Sequence, residues 1–167
     1  MELRQRAIDA VRDQFGRPTG LWGRAAALLM AHRSSNRTRN SWAVSLLDVR
    51  RDDRVLEIGF GPGLAIWELS RIAVEGYVRG IDHSELMLFW SEPVARLAEL
   101  RCVLRPGGLI AVAHQPRGPG ATDETAAAKG REIAAALDRA GFSEVRLETT
   151  RLRPAVVCAV GVNGAGT

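Results

Sequence analysis

The chain has 167 residues, of which 46% are hydrophobic and 25% charged, and its net charge is +4. That size and balance suit one domain with a small appendage and exclude wholesale disorder. No apolar run approaches the ~20 residues of a membrane-spanning helix, and residues 1–15 mix charged and apolar side chains without a signal-peptide core, so a soluble cytoplasmic protein is expected.

Residues 2–15 place Leu3, Ala7, Ile8, Val11 and Phe15 at helical spacing, which predicts an amphipathic helix. The turn from Gly16 to Gly20 breaks it. A second helix is expected over 21–33, with Leu21, Ala25, Leu28 and Leu29 inward. Ser34-Ser35-Asn36 is expected to end that helix and cap a third, 37–49, which buries Trp42, Leu46 and Leu47. The positive charge is concentrated here: residues 1–54 hold eleven Arg against six acidic residues, and the remainder is nearly neutral. A solvated helical surface accounts for this charge; attraction of an anionic substrate or a nucleic acid is the alternative.

After residue 53 the period changes to strand, loop and helix. Val55-Leu56-Glu57-Ile58 reads as a strand and 59–63 as a glycine-rich loop. A helix from Leu64 to about Glu75 would turn Ile66, Leu69, Ile72 and Ala73 inward and stop at a left-handed Gly76. A strand over 77–81 ends at Asp82, and Ser84 is placed to cap a new helix with Glu85 in its first turn. Residues 86–90 form a continuous apolar run without turn chemistry.

Ser91 then resembles a fresh cap, Pro93 suits the first turn, and the helix 92–104 would bury Val94, Leu97, Leu100 and Leu104. A turn at 105–108 leads to an apolar strand over 109–113, followed by a Gly/Pro-rich loop. A helix over 123–140 stops at Gly141, strands over 143–149 and 155–161 form an antiparallel pair, and the tail from 162 is expected to fray. Cys102 and Cys158 match no metal spacing and read as buried thiols, and no metal site is expected.

The strongest signal is the run from Glu57 through Gly59, Phe60, Gly61 and Pro62 to Gly63, at the end of the first strand. A turn without Cβ atoms lets backbone approach a ligand closely, and the helix that follows offers amide donors to a negative group. Asp82, 21 residues beyond Gly61, stands at the end of the next strand, where a carboxylate can accept ribose hydroxyls. A dinucleotide fingerprint would need glycine at 64, where Leu64 stands. The pattern acidic-x-Gly-x-Gly-x-Gly is similar to the first motif of class I S-adenosylmethionine (SAM)-dependent methyltransferases.

Gly80-Ile81-Asp82-His83-Ser84, residues 100–113 and the closing helix and hairpin continue that resemblance, which covers about residues 36–161. It implies a Rossmann-like α/β domain over 51–161, preceded by a helical lid at 1–50 and followed by a tail at 162–167. It further implies that Gly59, Gly61 and Gly63 line the methionine and ribose of SAM, with Phe60 in the same turn. Glu57 would lie near the methionyl ammonium, Asp82 would bind the ribose, and His83 would stand beside it. For the glycines the plain structural reading is a tight turn, for Glu57 a loop brace, and for Asp82 a helix cap.

The family's sheet has seven strands in the order 3-2-1-4-5-7-6, yet only 23 steps separate Asp82 from Arg105. The two strands and helices of that interval need roughly 45–50 residues. An internal deletion near residues 88–89 is inferred, which would remove the adenine-binding loop and the fourth strand. The expected product is a truncated, mostly parallel five-stranded sheet of order 2-1-5-7-6, with the first strand pairing directly with the fifth.

The expected function is SAM-dependent methyl transfer to a small-molecule acceptor, with this chain impaired by the deletion. The alternatives are a non-catalytic SAM-binding relic or interaction protein, and a nucleic-acid methyltransferase using the Arg-rich segment, which lacks an aromatic-rich binding stretch. His32, His83 and His114 are placed where they could approach a site, but each is read as a packing or surface histidine, and no catalytic residue is assigned.

Overall fold

The structure, a computed structural model, describes residues 34–81 and 91–164. The helices expected at 2–15 and 21–33, the junction at 88–89 and the last three residues lie outside the described residues. The chain divides into two compact units, one of residues 1–41 with 49–86 and the other of residues 42–48 with 87–167. The first described element, α1 (Ser34–Ser45), runs through that boundary. Ser34, Ser35 and Asn36 belong to this helix rather than capping a later start. Asn36 is buried, as is Val44, while Trp42, Leu46 and Leu47 are half-buried.

In the first unit, β1 (Arg54–Ile58) and β2 (Tyr77–Ile81) pair in parallel, in register from Arg54↔Tyr77 to Ile58↔Ile81. The connecting helix is α2 (Leu64–Ile72). Its apolar stripe buries Ala65 and Leu69, with Ala73 just beyond, against the face carrying Val55, Glu57, Val78 and Gly80. The opposite face stays open, with Leu56, Ile58, Tyr77 and Ile81 each more than a third exposed.

The helix ends three residues before the expected Glu75, at Ile72. Gly76 is not left-handed either, since it is absent from the positive-φ glycines. Its requirement is close approach: a Cβ there would stand 2.0 Å from the Asp53 carbonyl oxygen. Tyr77 N–H donates to that same oxygen at 3.0 Å, and Glu75 N–H donates to Arg51 O at 2.8 Å, so the backbone enters β2 already laced to the segment before β1.

The second unit holds α3 (Pro93–Val103), β3 (Leu109–His114), α4 (Asp123–Arg139), β4 (Ser143–Thr150) and β5 (Val156–Val162). Its sheet has the order β3-β5-β4, and both ladders are antiparallel. β5 is the middle strand and, except for Val162, buried throughout. Helix α4 packs on β5 and β4, and Leu97, Ile133, Leu137, Phe142 and Ala159 close the core. Gly130 permits the close approach of α4, since a Cβ there would lie 2.9 Å from Leu147 Cδ1 and 3.2 Å from Val157 Cβ.

Local signals hold at both ends of α4. Thr122 Oγ1 accepts from Thr125 N–H while Thr125 Oγ1 accepts from Thr122 N–H, a reciprocal cap, and Gly141 follows at φ 87. At α3 the expected cap is displaced: Glu92 holds the N-cap position without a side-chain bond, and Pro93 stands in the first turn. The expected frayed tail is also corrected at Asn163. This buried residue donates from Nδ2 to Leu104 O at 2.8 Å and to Arg101 O and Arg105 O, closing the end of α3.

The single five-stranded sheet does not form. Among the described residues the strands make a two-stranded parallel sheet and a separate three-stranded antiparallel one, and β1 has no ladder to β3. The 5-7-6 arrangement of the last three strands does appear, as β3-β5-β4. The balance is not mostly parallel because parallel ladders in such folds belong to the central strands, and the short interval after Asp82 has no room for them. Among the described residues no helix is long and apolar enough to cross a membrane.

Candidate cofactor site at the glycine turn

The turn after β1 is built from three alternate left-handed glycines: Gly59 at φ 76, Gly61 at φ 51 and Gly63 at φ 75. An L-residue at such a position costs about 1–2 kcal/mol, which gives the spacing its physical reason. Gly59 N–H donates to Ile81 O at 2.7 Å, extending the β1–β2 ladder into the turn. Gly63 N–H donates to Phe60 O at 2.9 Å, and Trp67 N–H donates to Gly63 O at 3.0 Å as α2 begins.

A Cβ built at Gly61 or Gly63 would meet no atom within 4 Å. The turn therefore presents bare backbone to open space. Gly63 is the N-cap of α2 and supplies no side-chain cap, so the helix opens with its positive dipole end towards the turn.

Glu57 is half-buried on the α2 side of β1, opposite Gly80 in register, with Oε2 withdrawn from solvent. The residue has an interaction of its own. Phe60 turns inward: a Cβ at Gly80 would lie 2.6 Å from Phe60 Cδ1 and 2.3 Å from Ile66 Cδ1. Gly80 is a site residue that the sequence reading passed over. Its signal was a glycine inside a strand, which marks a close approach.

Asp82, His83 and His32 lie outside the described residues. What is described brings the end of β2 to the turn, because Ile81, the residue before Asp82, pairs with Ile58 and accepts from Gly59. His114 ends β3, in the other unit, and has an interaction partner. Also unforeseen is Trp67 on α2, 63% exposed, with the Arg71 guanidinium 4.7 Å from its ring centroid.

Of the two thiols, Cys158 is buried and burial pushes its pKa up to about 12, which makes it inert. Cys102 is exposed, against the sequence expectation, because it lies on the solvent side of α3 next to the 72% exposed Val103. Among the described residues no three His, Cys, Asp or Glu side chains group as a metal site.

No family profile matches the chain. It is similar to the uncharacterized methyltransferase YdaC of Bacillus subtilis (strain 168), with 26% identity over 174 aligned positions that cover 80% of this chain and 95% of the relative. Since 80% of 167 residues is about 134, about 40 of those positions have no counterpart here.

Among solved structures, a SAM-dependent methyltransferase from Aquifex aeolicus superposes with TM-score 0.58 at 15% identity, over 83% of this chain and 97% of that one. The SAM-dependent methyltransferase SibL in its apo form gives 0.57 at 14% identity over 78% of this chain, which spans only 56% of SibL. PigF, solved with S-adenosylhomocysteine (SAH), gives 0.50 at 13% identity, over 96% of this chain and 69% of that one. The chain is thus similar in sequence to a methyltransferase and shares the fold of SAM-dependent methyltransferases.

Proposed function

We propose that the chain binds SAM at the 59–63 turn and passes its methyl group to a small-molecule acceptor. The observation that carries this reading is the turn itself: three left-handed glycines beside the end of β2, with open space where side chains at Gly61 and Gly63 would be. When bound, SAM supplies a methyl group activated on a sulfonium centre.

The chain's own work is then binding and alignment. The amides at the start of α2 face a carboxylate favourably, Glu57 offers a counter-charge to an ammonium, and Asp82 accepts from vicinal hydroxyls. Phe60 anchors the turn by its seat over Gly80, and His83 flanks Asp82. No residue is assigned as a general base. The interval after Asp82 is the place for the segment that this chain lacks, and the roughly 40 unmatched positions of the Bacillus relative support that reading.

Calorimetric titration of SAM into protein of verified intact mass tests the proposal. Micromolar binding, weakened at least ~10-fold by Asp82→Ala, is expected. Absence of binding at millimolar SAM overturns it. A second reading, a SAM-binding protein without turnover, is favoured by the split between the two sheets. It predicts undiminished SAM affinity with no SAH formed against a panel of small nucleophilic acceptors.

A further inference from the structure

Two loops leave one end of the second unit's sheet. His114, the last residue of β3, pairs with Val157, and Thr150, the last of β4, pairs with Val156. Residues 115–121 after β3 and residues 151–155 between β4 and β5 therefore start from the same end. One side chain ties the two loops together: Gln115 Nε2 donates to Pro154 O at 2.9 Å. A carbonyl oxygen can only accept, so that bond fixes which way the carboxamide stands. Its other polar atom, Oε1, is withdrawn from solvent and has no hydrogen-bond partner among the described residues. A buried acceptor without a donor is costly, and such an atom marks a place where a further donor belongs.

The charges here point the same way. Arg151 and Arg153 stand on the loop that Gln115 holds, and both are exposed. Neither forms an ion pair among the described residues. The carboxylates of the neighbouring segments are engaged. Asp123 Oδ1 accepts from Ala155 N–H at 2.7 Å, Glu124 takes a hydrogen bond from the Thr122 side chain that lowers its pKa, and Glu148 pairs with Arg146 at 3.5 Å. Arg117, on the other loop, already has an interaction. Beyond it, Gly118 at φ 91 and Gly120 at φ 81 present bare backbone, and a Cβ at either would meet no atom within 4 Å.

We propose that this end of the second unit binds a small hydroxylated carboxylate. Arg151 and Arg153 take the carboxylate, since planar guanidinium forks suit a two-oxygen anion, and the ligand's hydroxyl donates to Gln115 Oε1. The assignment follows from what each group can do. Oε1 only accepts, so it selects an O–H, and a guanidinium only donates, so it selects an anion. An alcohol alone would leave the two cations without a counter-ion, and a plain carboxylate would leave Oε1 without a donor. Residues 117–120 are exposed and hold the two left-handed glycines, so this stretch can shift aside as the hydroxyl enters.

Calorimetric titration with malate, and with succinate as the same dicarboxylate without the hydroxyl, is the test. No SAM is present, so failure here and failure of the cofactor reading are told apart. The wild type is expected to bind malate at least ~5-fold more tightly than succinate. Gln115→Met should remove that preference and leave succinate binding as it was. Arg151→Gln combined with Arg153→Gln, at two exposed positions, should weaken both ligands at least ~10-fold with the circular dichroism spectrum unchanged. Equal affinity for malate and succinate in the wild type overturns the proposal, as does a malate preference that persists in Gln115→Met. So does undiminished binding by the double variant, or no binding at about 10 mM malate.

Discussion

Gly76 offers the sharpest test of how the first unit is built. In Gly76→Ala the new methyl would stand 2.0 Å from Asp53 O and 2.9 Å from the carbonyl carbons of Asp52 and Asp53. All three are backbone atoms, so no side chain can swing aside, and the chain must separate by about 1 Å to restore ordinary contact. The two hydrogen bonds at that point, Tyr77 N–H to Asp53 O and Glu75 N–H to Arg51 O, are the ones stretched. Losing both costs about 1 kcal/mol each, and the residual crowding adds about 1–3 kcal/mol, so a loss of about 3–5 kcal/mol is expected.

Gly63→Ala is the control. Its methyl meets nothing within 4 Å, and only the left-handed backbone at φ 75 resists it, at about 1–2 kcal/mol. Urea unfolding followed by circular dichroism measures both, and amide exchange over 54–58 shows where the damage falls. Gly76→Ala should cost clearly more than Gly63→Ala and release the β1 amides. Equal or smaller destabilisation by Gly76→Ala would refute the close-approach account.

Four further outcomes follow from the second unit. Asn163→Ala removes the donor that closes three carbonyls at the end of α3, and urea melts should show a loss of about 1–3 kcal/mol. Thr122→Ala removes one half of the reciprocal cap on α4 and should cost about 1 kcal/mol in the same assay. A thiol reagent at neutral pH should label Cys102 alone in the folded protein, with Cys158 reacting only in urea. Burial raises the Cys158 pKa from its ordinary 9.0 to about 12, so the neutral thiol's contribution is whole below pH ~9 and is lost as pH rises from there through about 12. The stability gap between wild type and Cys158→Ala should therefore narrow over that window.

How much of this architecture the residues announce depends on the range of the forces involved. The 59–63 turn, the Gly141 stop and the two strands of the first unit were all legible, because each rests on sterics within a few residues. Positive φ at alternate glycines and alternating burial along β1 need no distant partner to be favoured. The 5-7-6 order of the last strands was legible too, through family resemblance rather than through any local rule.

Tertiary structure alone decided the rest. Gly76 reads as a left-handed helix stop and Gly80 as an ordinary strand residue until Asp53 and Phe60 are brought against them. Asn163 looks like part of a frayed tail until the end of α3 comes within reach of its amide. Cys102 sits in an apolar helix pattern, yet the core closes on Leu97 and leaves the thiol outside. Above all, the division into two sheets belongs to strand pairing, in which any apolar strand can in principle accept any other. Local preference selects a strand, but only the partners present in the folded chain select its neighbour.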